Sequence, residues 1–512
     1  MTAITLSFEV HQPLRIEKNF TEDMGRGKSP EDLLEVYFNN TWNKEIFLRA
    51  AKKCYRPATQ IILENIKMFK GKKKEFKVAF SLSGVFIEQC RRWAPDVLDL
   101  FRKIADTECA EFLCQTYYHS LSSIFSAERG EFMDQVLEHR RAIMENFYQT
   151  PKVFENTEFI YNNSIAKTVS SLGFEGIFTE GAERILGWRS PNYVYRAKDA
   201  PIKVLLRNYR LSDDISFRFS NRDWEGWPMT ADKFSYWLAC TPGDCINLFM
   251  DYETFGEHQW PETGIHEFLR WLPGEILKHE NLEFKTPSEL IKKEAVGEID
   301  VHDFDTVSWA DVKRSTDAWL GNDMQRTSFE AVKNLEPFVR ATKNSVLLKI
   351  WRLLQTSDHI YYMYTEPGAS GLVHGYFSQQ FPTEAFWSFL RILSDFYMKV
   401  SENLSGRLKE AAKLLRVLPP DRAFHFHEDG RYIGLSAHSL EELKNALPYA
   451  SETSILFHMA CKHFEKWIRF TIGDSELADK ISKAEGRSAA ELRERIYELI
   501  NRRILELKSV VE

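Results

Sequence analysis

The chain has 512 residues, of which 44% are hydrophobic and 28% charged, and its formal net charge is −7. These proportions are typical of a soluble globular protein, and the length predicts roughly two to four domains with a large buried core. The negative charge and the short basic runs, the longest at residues 72–74, argue against a nucleic-acid-binding surface. No apolar run of about 18 residues is present that could span a membrane.

Seven cysteines occur without any C-x-x-C pair, so the sequence predicts neither a disulfide framework nor a zinc site. The N-terminal sequence MTAITLSFEVHQP lacks the basic region and apolar core of a signal peptide. We therefore expect reduced thiols, a cytoplasmic location, and no metal or cofactor.

Predicted strands and helices alternate over about the first 290 residues. The predicted strands are residues 4–10, 77–82, 111–116, 153–158, 176–179, 203–206, 246–253 and 282–285. Helical periodicity covers residues 31–69, 95–106, 132–148 and 165–172. This alternation predicts βαβ units with a parallel sheet that closes into a barrel.

The pattern changes after residue 301. Long helical patterns cover 325–356 and 383–418, and a glycine-rich aromatic segment, 359–379, lies between them. Pro419-Pro420 predicts a boundary, and Asp429-Gly430 predicts the turn of a β-hairpin. We expect an α/β protein whose domains are a barrel at 1–300, a helical domain that completes the active-site cleft at 301–418, and a small α+β module at 419–512.

One stretch, INLFMDYETFGEH at residues 246–258, joins an apolar strand to polar side chains. Its nearly unbroken apolar start is typical of a parallel strand that is covered on both faces. Asp251 and Glu253 are two residues apart, so on an extended chain their carboxylates would point the same way. Gly256 opens a turn, and His258 follows. Paired carboxylates at a strand end favour catalysis at the carboxyl face of a barrel, and a salt-bridged strand end is the alternative.

Other predicted strands also end in polar groups, namely His11, Glu88, His119 and Glu158. Two opposed carboxylates are what cleavage of a glycosidic bond requires, since one protonates the leaving oxygen and the other stabilises or traps the sugar cation. Glu180 and Glu183 form a rival pair whose spacing fits a helix start equally well. A metal site or a structural role would each fit the histidines of the C-terminal region, which are His425, His427, His458 and His463.

Five ordered motifs resemble those of glycoside hydrolase family 57. They are HQP at 11–13, SGVFIEQ at 83–89 with Glu88, FENTEFIYNN at 154–163 with Glu158, DYETFGEH at 251–258, and DAWLG at 317–321 with Ser308-Trp309 upstream. The fifth motif lacks the longer histidine-bearing form of the family's transferase branch, which argues against a strict glucanotransferase. YYHSL at 117–121 and NTEFIYNN at 156–163 resemble the family's intracellular α-amylase-like branch most.

The resemblance implies a distorted (β/α)7 barrel with α-amylase or 4-α-glucanotransferase activity. It places the nucleophile at Glu158 and the general acid/base at Asp251. We expect the groups that bind substrate to be His11, Glu88, His119, Glu253, Trp309, Asp317 and Trp319.

The leading hypothesis is therefore a retaining hydrolase of α-1,4-glucans that acts on an oligosaccharide or polysaccharide. A 4-α-glucanotransferase and a catalytically silent glucan-binding protein are two alternatives. A third alternative is a metal-dependent polysaccharide deacetylase, in which His11 would bind the metal. No Asp-Asp or HxxxH spacing accompanies His11, so the sequence disfavours this third class.

Overall fold

The computed structural model describes residues 1–126, 128–366 and 380–510. Its main sheet has ten strands, seven of which close a parallel barrel. In chain order the strands are β1 (Thr2–Val10), β2 (Val78–Leu82), β3 (Ala110–Phe112), β4 (Val153–Glu155), β5 (Gly176–Glu180), β6 (Val194–Ala197), β7 (Lys203–Arg207), β8 (Cys245–Asp251), β9 (Leu282–Phe284) and β10 (Glu298–Ile299).

The barrel closes in the order β1-β2-β3-β4-β5-β7-β8 and back to β1. Its two weakest seams are a bridge between Cys114 and Phe154, just past β3, and the single pair Arg207 and Asn247 between β7 and β8. The antiparallel β6 and the short β10 lie outside this ring. The predicted eighth strand forms as β9, but it pairs only with the start of β1 and also lies outside. The predicted (β/α)7 barrel is thus confirmed.

Strand β1 shows why the sheet has two different faces. Ile4, Leu6 and Phe8 belong to an apolar cluster that includes residues of the helix Arg56–Phe69. Since side chains alternate along a strand, Thr5, Ser7 and Glu9 lie on the opposite face, toward the barrel interior. The barrel interior therefore holds polar groups along this strand.

Helices flank the barrel strands. The predicted helix at 31–69 is divided at Phe38 and Asn39, where the backbone is not helical. A π-helical turn, Ala51–Tyr55, then joins Asn40–Ala50 to Arg56–Phe69. The α-helices of this part are Glu22–Gly25, Pro30–Tyr37, Asn40–Ala50, Arg56–Phe69, Gly84–Trp93, Pro95–Ala105, Gly130–Phe147, Asn163–Ser171, Glu183–Leu186, Tyr209–Asp213, Ala231–Cys240, Ile265–Lys278 and Pro287–Leu290.

After the barrel the described chain is helical, as predicted. Pro337 and the left-handed Lys343 separate the pattern at 325–356 into three helices. Of the glycine-rich segment 359–379, residues 367–379 lie outside the described residues. The helices are Asp317–Leu320, Asp323–Asn334, Glu336–Thr342, Ser345–Leu354, Ser357–Tyr361, Pro382–Glu402 and Gly406–Leu414.

The predicted hairpin is confirmed, with β11 (Phe424–Glu428) and β12 (Arg431–Ala437) joined at Asp429-Gly430, where both residues have positive φ. The helices that follow are Leu440–Ala446, Glu452–Ala460, His463–Lys466, Ser475–Ser482 and Ala489–Lys508. One apolar cluster runs from the barrel through the helical region into this module, so the boundaries at 300 and 418 remain predictions. Across the described residues, every helix is too short or too polar to cross a bilayer.

Candidate active site

A cleft of about 970 Å³, part of it open to solvent, lies at the carboxyl ends of the barrel strands. Both carboxylates predicted to be catalytic, Glu158 and Asp251, line this one cleft. The other side chains that line it include Glu9, His11, His119, Arg207, Asp213, Phe217, Glu253, His258, Trp309, Arg314 and Asp358.

Glu158 is held in an unusual backbone conformation just past β4. Glu158 and Phe159 both have φ near 58°, a left-handed region that non-glycine residues seldom adopt. The carbonyl oxygen of Glu158 accepts hydrogen bonds from Ser308 Oγ at 2.9 Å and from the backbone N–H of Trp309 at 3.2 Å. These bonds stabilise the strained turn that aims the carboxylate into the cleft.

The carboxylate of Glu158 has two donors on separate elements. Trp309 Nε1 donates to Oε2 at 2.7 Å, and His119 Nε2 lies 3.3 Å from Oε1. The Trp309 ring is stacked on Phe159 at 4.5 Å, and the Arg207 guanidinium lies over it at 5.2 Å. These contacts favour a role for Trp309 in holding Glu158 over its predicted role as a platform for a sugar ring.

The carboxyl group of Asp251 differs from that of Glu158 in its electrostatic surroundings. Asp251 is the last residue of β8 and is partly exposed to the cleft. No described residue donates a hydrogen bond to its carboxyl group. Burial of the group and the nearby charge of Glu158 raise the pKa of Asp251 to about 7. The cleft therefore pairs a carboxylate that faces two hydrogen-bond donors with a carboxyl group that stays partly protonated up to about pH 7.

His11 and His119 are stacked with ring centroids 4.1 Å apart. Ser83 Oγ accepts from the N–H of Phe86 and lies 2.7 Å from His11 Nδ1. His11 Nε2 lies 3.3 Å from Asp358 Oδ2. Burial and the charge of His119 lower the pKa of His11 to about 4, so it is neutral at pH 7.

Glu253 also lines the cleft, but it is not on the strand face of Asp251, where it was predicted to lie. The strand ends at Asp251, and Glu253 lies in the following 3-10 turn. Its carboxyl group accepts a hydrogen bond from the buried Tyr55 hydroxyl. Burial raises the pKa of Glu253 well above its ordinary value.

Three further residues predicted to bind substrate lie away from the cleft. Glu88 is bound by the Tyr117 hydroxyl and Lys349 Nζ, both at 2.8 Å. Asp317 pairs with Lys313 at 2.8 Å in a separate surface depression. Trp319 is fully buried, so no face of its ring is open to a sugar here. The structure thus brings together six of the nine predicted residues, and the roles of all nine stay predictions.

The rival carboxylate pair does not act as a pair. Glu180 is buried and bound to Arg207 at 3.0 Å, whereas Glu183 is an exposed partner of Arg210. Arg207 also binds Asp213 at 2.6 Å and donates to the Phe249 carbonyl oxygen at 2.7 Å. Glu180 therefore supports an arginine that lines the cleft.

Ligand atoms of His11, His119 and Asp358 lie within 4.8 Å of one another, a spacing that a metal ion could bridge. However, both ring nitrogens of His119 face acceptors, Gln115 Oε1 on one side and Glu158 on the other. A ring that donates from both nitrogens has no lone pair for a metal. We therefore assign no metal to this group.

The groups that line the cleft and that sequence reasoning did not identify include Glu9, Arg207, Phe217 and Asp358. A signal existed for Glu9, because Thr5, Ser7 and Glu9 alternate with apolar residues in β1. Asp358 comes from a helix more than 100 residues beyond β8, in a region where helical periodicity dominates. No local pattern links it to the barrel.

Comparison with known proteins identifies a family. Residues 5–302 match Glycosyl hydrolase family 57. A relative from Methanocaldococcus jannaschii, described as "Putative alpha-amylase", is 48% identical over 412 residues, which are 78% of this chain and 85% of the relative.

Two solved structures support the same fold. A 4-alpha-glucanotransferase from Thermococcus litoralis has a TM-score of 0.54 at 17% identity over 84% of this chain and 63% of that chain, so the match spans a little under two thirds of its length. A GH57-type branching enzyme from Pyrococcus horikoshii has a TM-score of 0.52 at 15% identity, over 80% of this chain and 90% of that chain. At these identities the likeness shows the fold alone.

Proposed function

Because this chain belongs to glycosyl hydrolase family 57 and is a glycoside hydrolase, we propose that it cleaves α-1,4-glucans with retention of configuration. Glu158 is the nucleophile in this proposal, and Asp251 is the general acid and base. The substrate is an α-glucan oligosaccharide or polysaccharide that enters the cleft at the carboxyl ends of the strands.

The observation that carries the proposal is the unequal environment of the two carboxyl groups. Glu158 receives hydrogen bonds from His119 and Trp309, which favour its ionised form. Asp251 has no such described donor, and its pKa is raised to about 7. Two carboxyl groups with opposite protonation are what a nucleophile and a general acid require.

In the first step, a Glu158 oxygen attacks the anomeric carbon and forms a glycosyl ester. The bond from that carbon to the departing sugar oxygen breaks, and this oxygen takes the proton of Asp251. In the second step, the ionised Asp251 removes a proton from an incoming hydroxyl, whose oxygen attacks the same carbon and displaces Glu158. Water as the acceptor gives hydrolysis, and a sugar hydroxyl gives transfer. For this mechanism the two carboxyl groups must lie roughly 5–5.5 Å apart.

The direct test is incubation of the purified protein with maltoheptaose, with and without EDTA. We expect shorter chains in both samples, and the products first formed should have the α-anomeric configuration by proton NMR. Longer chains beside shorter ones would favour transfer over hydrolysis. Loss of chain shortening in EDTA would contradict the metal-free mechanism, and no turnover of any glucan would support a silent binding protein. Metal-dependent release of acetate from an acetylated polysaccharide would instead support the deacetylase class.

The Glu158→Gln variant tests the nucleophile. The amide is nearly isosteric but cannot attack the anomeric carbon, so turnover should fall by about three orders of magnitude or more while the fold is retained. Glu183→Gln is the matched control, because Glu183 is an exposed carboxylate outside the cleft. Near-normal turnover by Glu158→Gln would exclude the assigned role.

A further inference from the structure

A second pair of carboxyl groups lies inside the barrel beneath the cleft. Glu9 on β1 and Glu155 on β4 are only 3% and 0% exposed. Burial of ionisable groups is costly unless they are paired and hydrogen-bonded. The cleavage mechanism uses neither group, so their presence in the interior requires a separate explanation.

Hydrogen bonds of fixed direction connect this pair to the cleft. Gln115 Nε2 donates to Glu9 Oε1 and to Ser81 Oγ, each at 2.8 Å. Ser81 Oγ therefore uses its own hydrogen to bond Glu155 Oε2 at 2.9 Å. These contacts fix the orientation of the Gln115 amide, whose Oε1 is left to accept from His119 Nδ1 at 3.1 Å.

The two carboxyl groups of this pair can share one proton. Glu9 Oε2 and Glu155 Oε1 are buried and receive no hydrogen bond from a described donor, and the two groups interact directly. One proton shared between these two oxygens would give each a partner, whereas a second proton would meet no acceptor between the two groups. With one proton the pair carries a single negative charge. Burial raises the pKa of both groups, that of Glu155 to about 8.

His119 lies between this pair and the nucleophile. Its Nδ1 faces Gln115 Oε1 and, at 3.5 Å, Glu9 Oε1, while its Nε2 faces Glu158. Both nitrogens must donate, which requires the imidazolium form. Burial alone would lower the pKa of His119, but the two carboxylates outweigh it and raise the pKa to about 9. The titratable groups around the ring are Glu9, His11, Glu158, Asp251 and Asp358.

We propose that Glu9 and Glu155 are positioning residues whose shared negative charge keeps His119 protonated, so that His119 holds the Glu158 carboxylate in place. The inference rests on the proposed function only where it names Glu158 the nucleophile. The protonation state of His119 is independent of the substrate.

The test follows the charge state of His119 by long-range proton–nitrogen NMR of the full chain labelled with ¹⁵N-histidine. The His119 signals are assigned by their loss in His119→Gln. In the wild type the ring should stay doubly protonated up to about pH 8. In E9Q/E155Q neither position 9 nor position 155 can carry a charge. The pH midpoint for deprotonation of His119 should therefore fall by about two pH units or more.

The single variants separate the two residues. E155Q leaves Glu9 ionised beside His119, so the midpoint should move by less than about half a unit. E9Q leaves only the more distant Glu155, so the midpoint should fall by about one unit or more, and this variant decides the matter should the double variant not fold. E111Q is the matched control, because Glu111 is also buried but is bonded to Ser288 and has no contact with His119.

Activity on maltoheptaose gives an independent readout. At pH 7.5, kcat should fall about tenfold or more in E9Q/E155Q and remain near wild type in E111Q. An unchanged His119 midpoint in E9Q, or a neutral His119 in the wild type at pH 7, would overturn the proposal. A wild type without glucan cleavage would refute the proposed function and leave the histidine titration as a valid test.

Discussion

In the proposed mechanism, the protonation of Asp251 sets a pH limit on the reaction. Its pKa of about 7 means that the general acid loses its proton as the pH rises through neutrality. We expect kcat/KM for maltoheptaose to decrease above about pH 7, approaching a tenfold loss per pH unit. A steady-state profile between about pH 5 and 9 measures this. A flat profile from about pH 6 to 8.5 would contradict the assignment of Asp251 as the general acid.

The indole N–H of Trp309 tests how Glu158 is held. Trp309→Phe keeps an aromatic ring beside Phe159 but removes the donor to Glu158 Oε2. We expect kcat to fall by about tenfold or more with a smaller change in KM, since the nucleophile loses its orientation. Trp271→Phe is the control, because Trp271 is exposed and outside the cleft. Equal kinetics for the two variants would show that the hydrogen bond is dispensable.

At the residue scale the sequence predicts the carboxylates better than their supports. Glu158 and Asp251 belong to contiguous motifs at strand ends, so each could be singled out from a short stretch. Trp319 was expected at the cleft because it is aromatic and near Asp317, yet it is buried against Tyr361. Aromatic residues suit cores and sugar sites equally, and only packing separates the two. The partner of His11, Asp358, depends on long-range packing that no local pattern encodes.

At the scale of elements, the segment after β7 presents an aromatic ring at the cleft. The helix Tyr209–Asp213 continues into a π-helical turn, Asp214–Arg218, on which Phe217 is 42% exposed. Arg207 binds Asp213, and Gln259 Nε2 donates to the Ser216 carbonyl oxygen at 2.8 Å. These contacts fix the turn on both sides of the ring.

We expect Phe217→Ala to raise KM for maltoheptaose by about threefold to tenfold while kcat changes little, because a stacking surface for a sugar ring is lost. Phe217→Tyr should restore KM. Phe470→Ala is the control, since Phe470 is 79% exposed in the C-terminal module. An unchanged KM for Phe217→Ala would show that the ring does not contact substrate.

The predicted strands form in the predicted order because their periodicities are strong, but the strands β6 and β10 and the helices Ala231–Cys240 and Ile265–Lys278 were not predicted. Strand ends were less accurate, as the end of β8 at Asp251 shows. A spacing of two residues, as between Asp251 and Glu253, occurs both on one face of a strand and across a turn, and the sequence does not distinguish the two cases. The sequence also does not show which strands close the ring. Strand β9 has the apolar residues of a barrel strand but pairs only with the first residues of β1.

At the scale of the whole molecule, the C-terminal module is packed onto the rest of the chain. Phe386 contacts His438 edge-on at 5.4 Å, and Arg422 pairs with Glu22 at 2.8 Å. The backbone N–H of Leu418 donates to the His438 carbonyl oxygen at 2.7 Å. The module therefore covers apolar surface of the helical region.

Removal of the module should expose that surface. We expect a chain ending at Leu418 to have a Tm lower by about 5 °C or more, or to aggregate, because burial of apolar area is the main stabilising term. Thermal unfolding followed by circular dichroism measures this against the full chain. An equal Tm and normal glucan turnover would show that residues 1–418 form an independent unit and would support the predicted boundary.

Strand β1 has a consequence for how the protein folds. Its neighbours in the ring are β2 and β8, and the bond between Thr5 and Asn247 spans 242 residues. During synthesis, one edge of β1 has no native partner until β8 has been made. An unpaired edge of this kind favours aggregation. Closure of the ring, which also brings Glu9 beside Asp251, is therefore a late event in the folding of this enzyme.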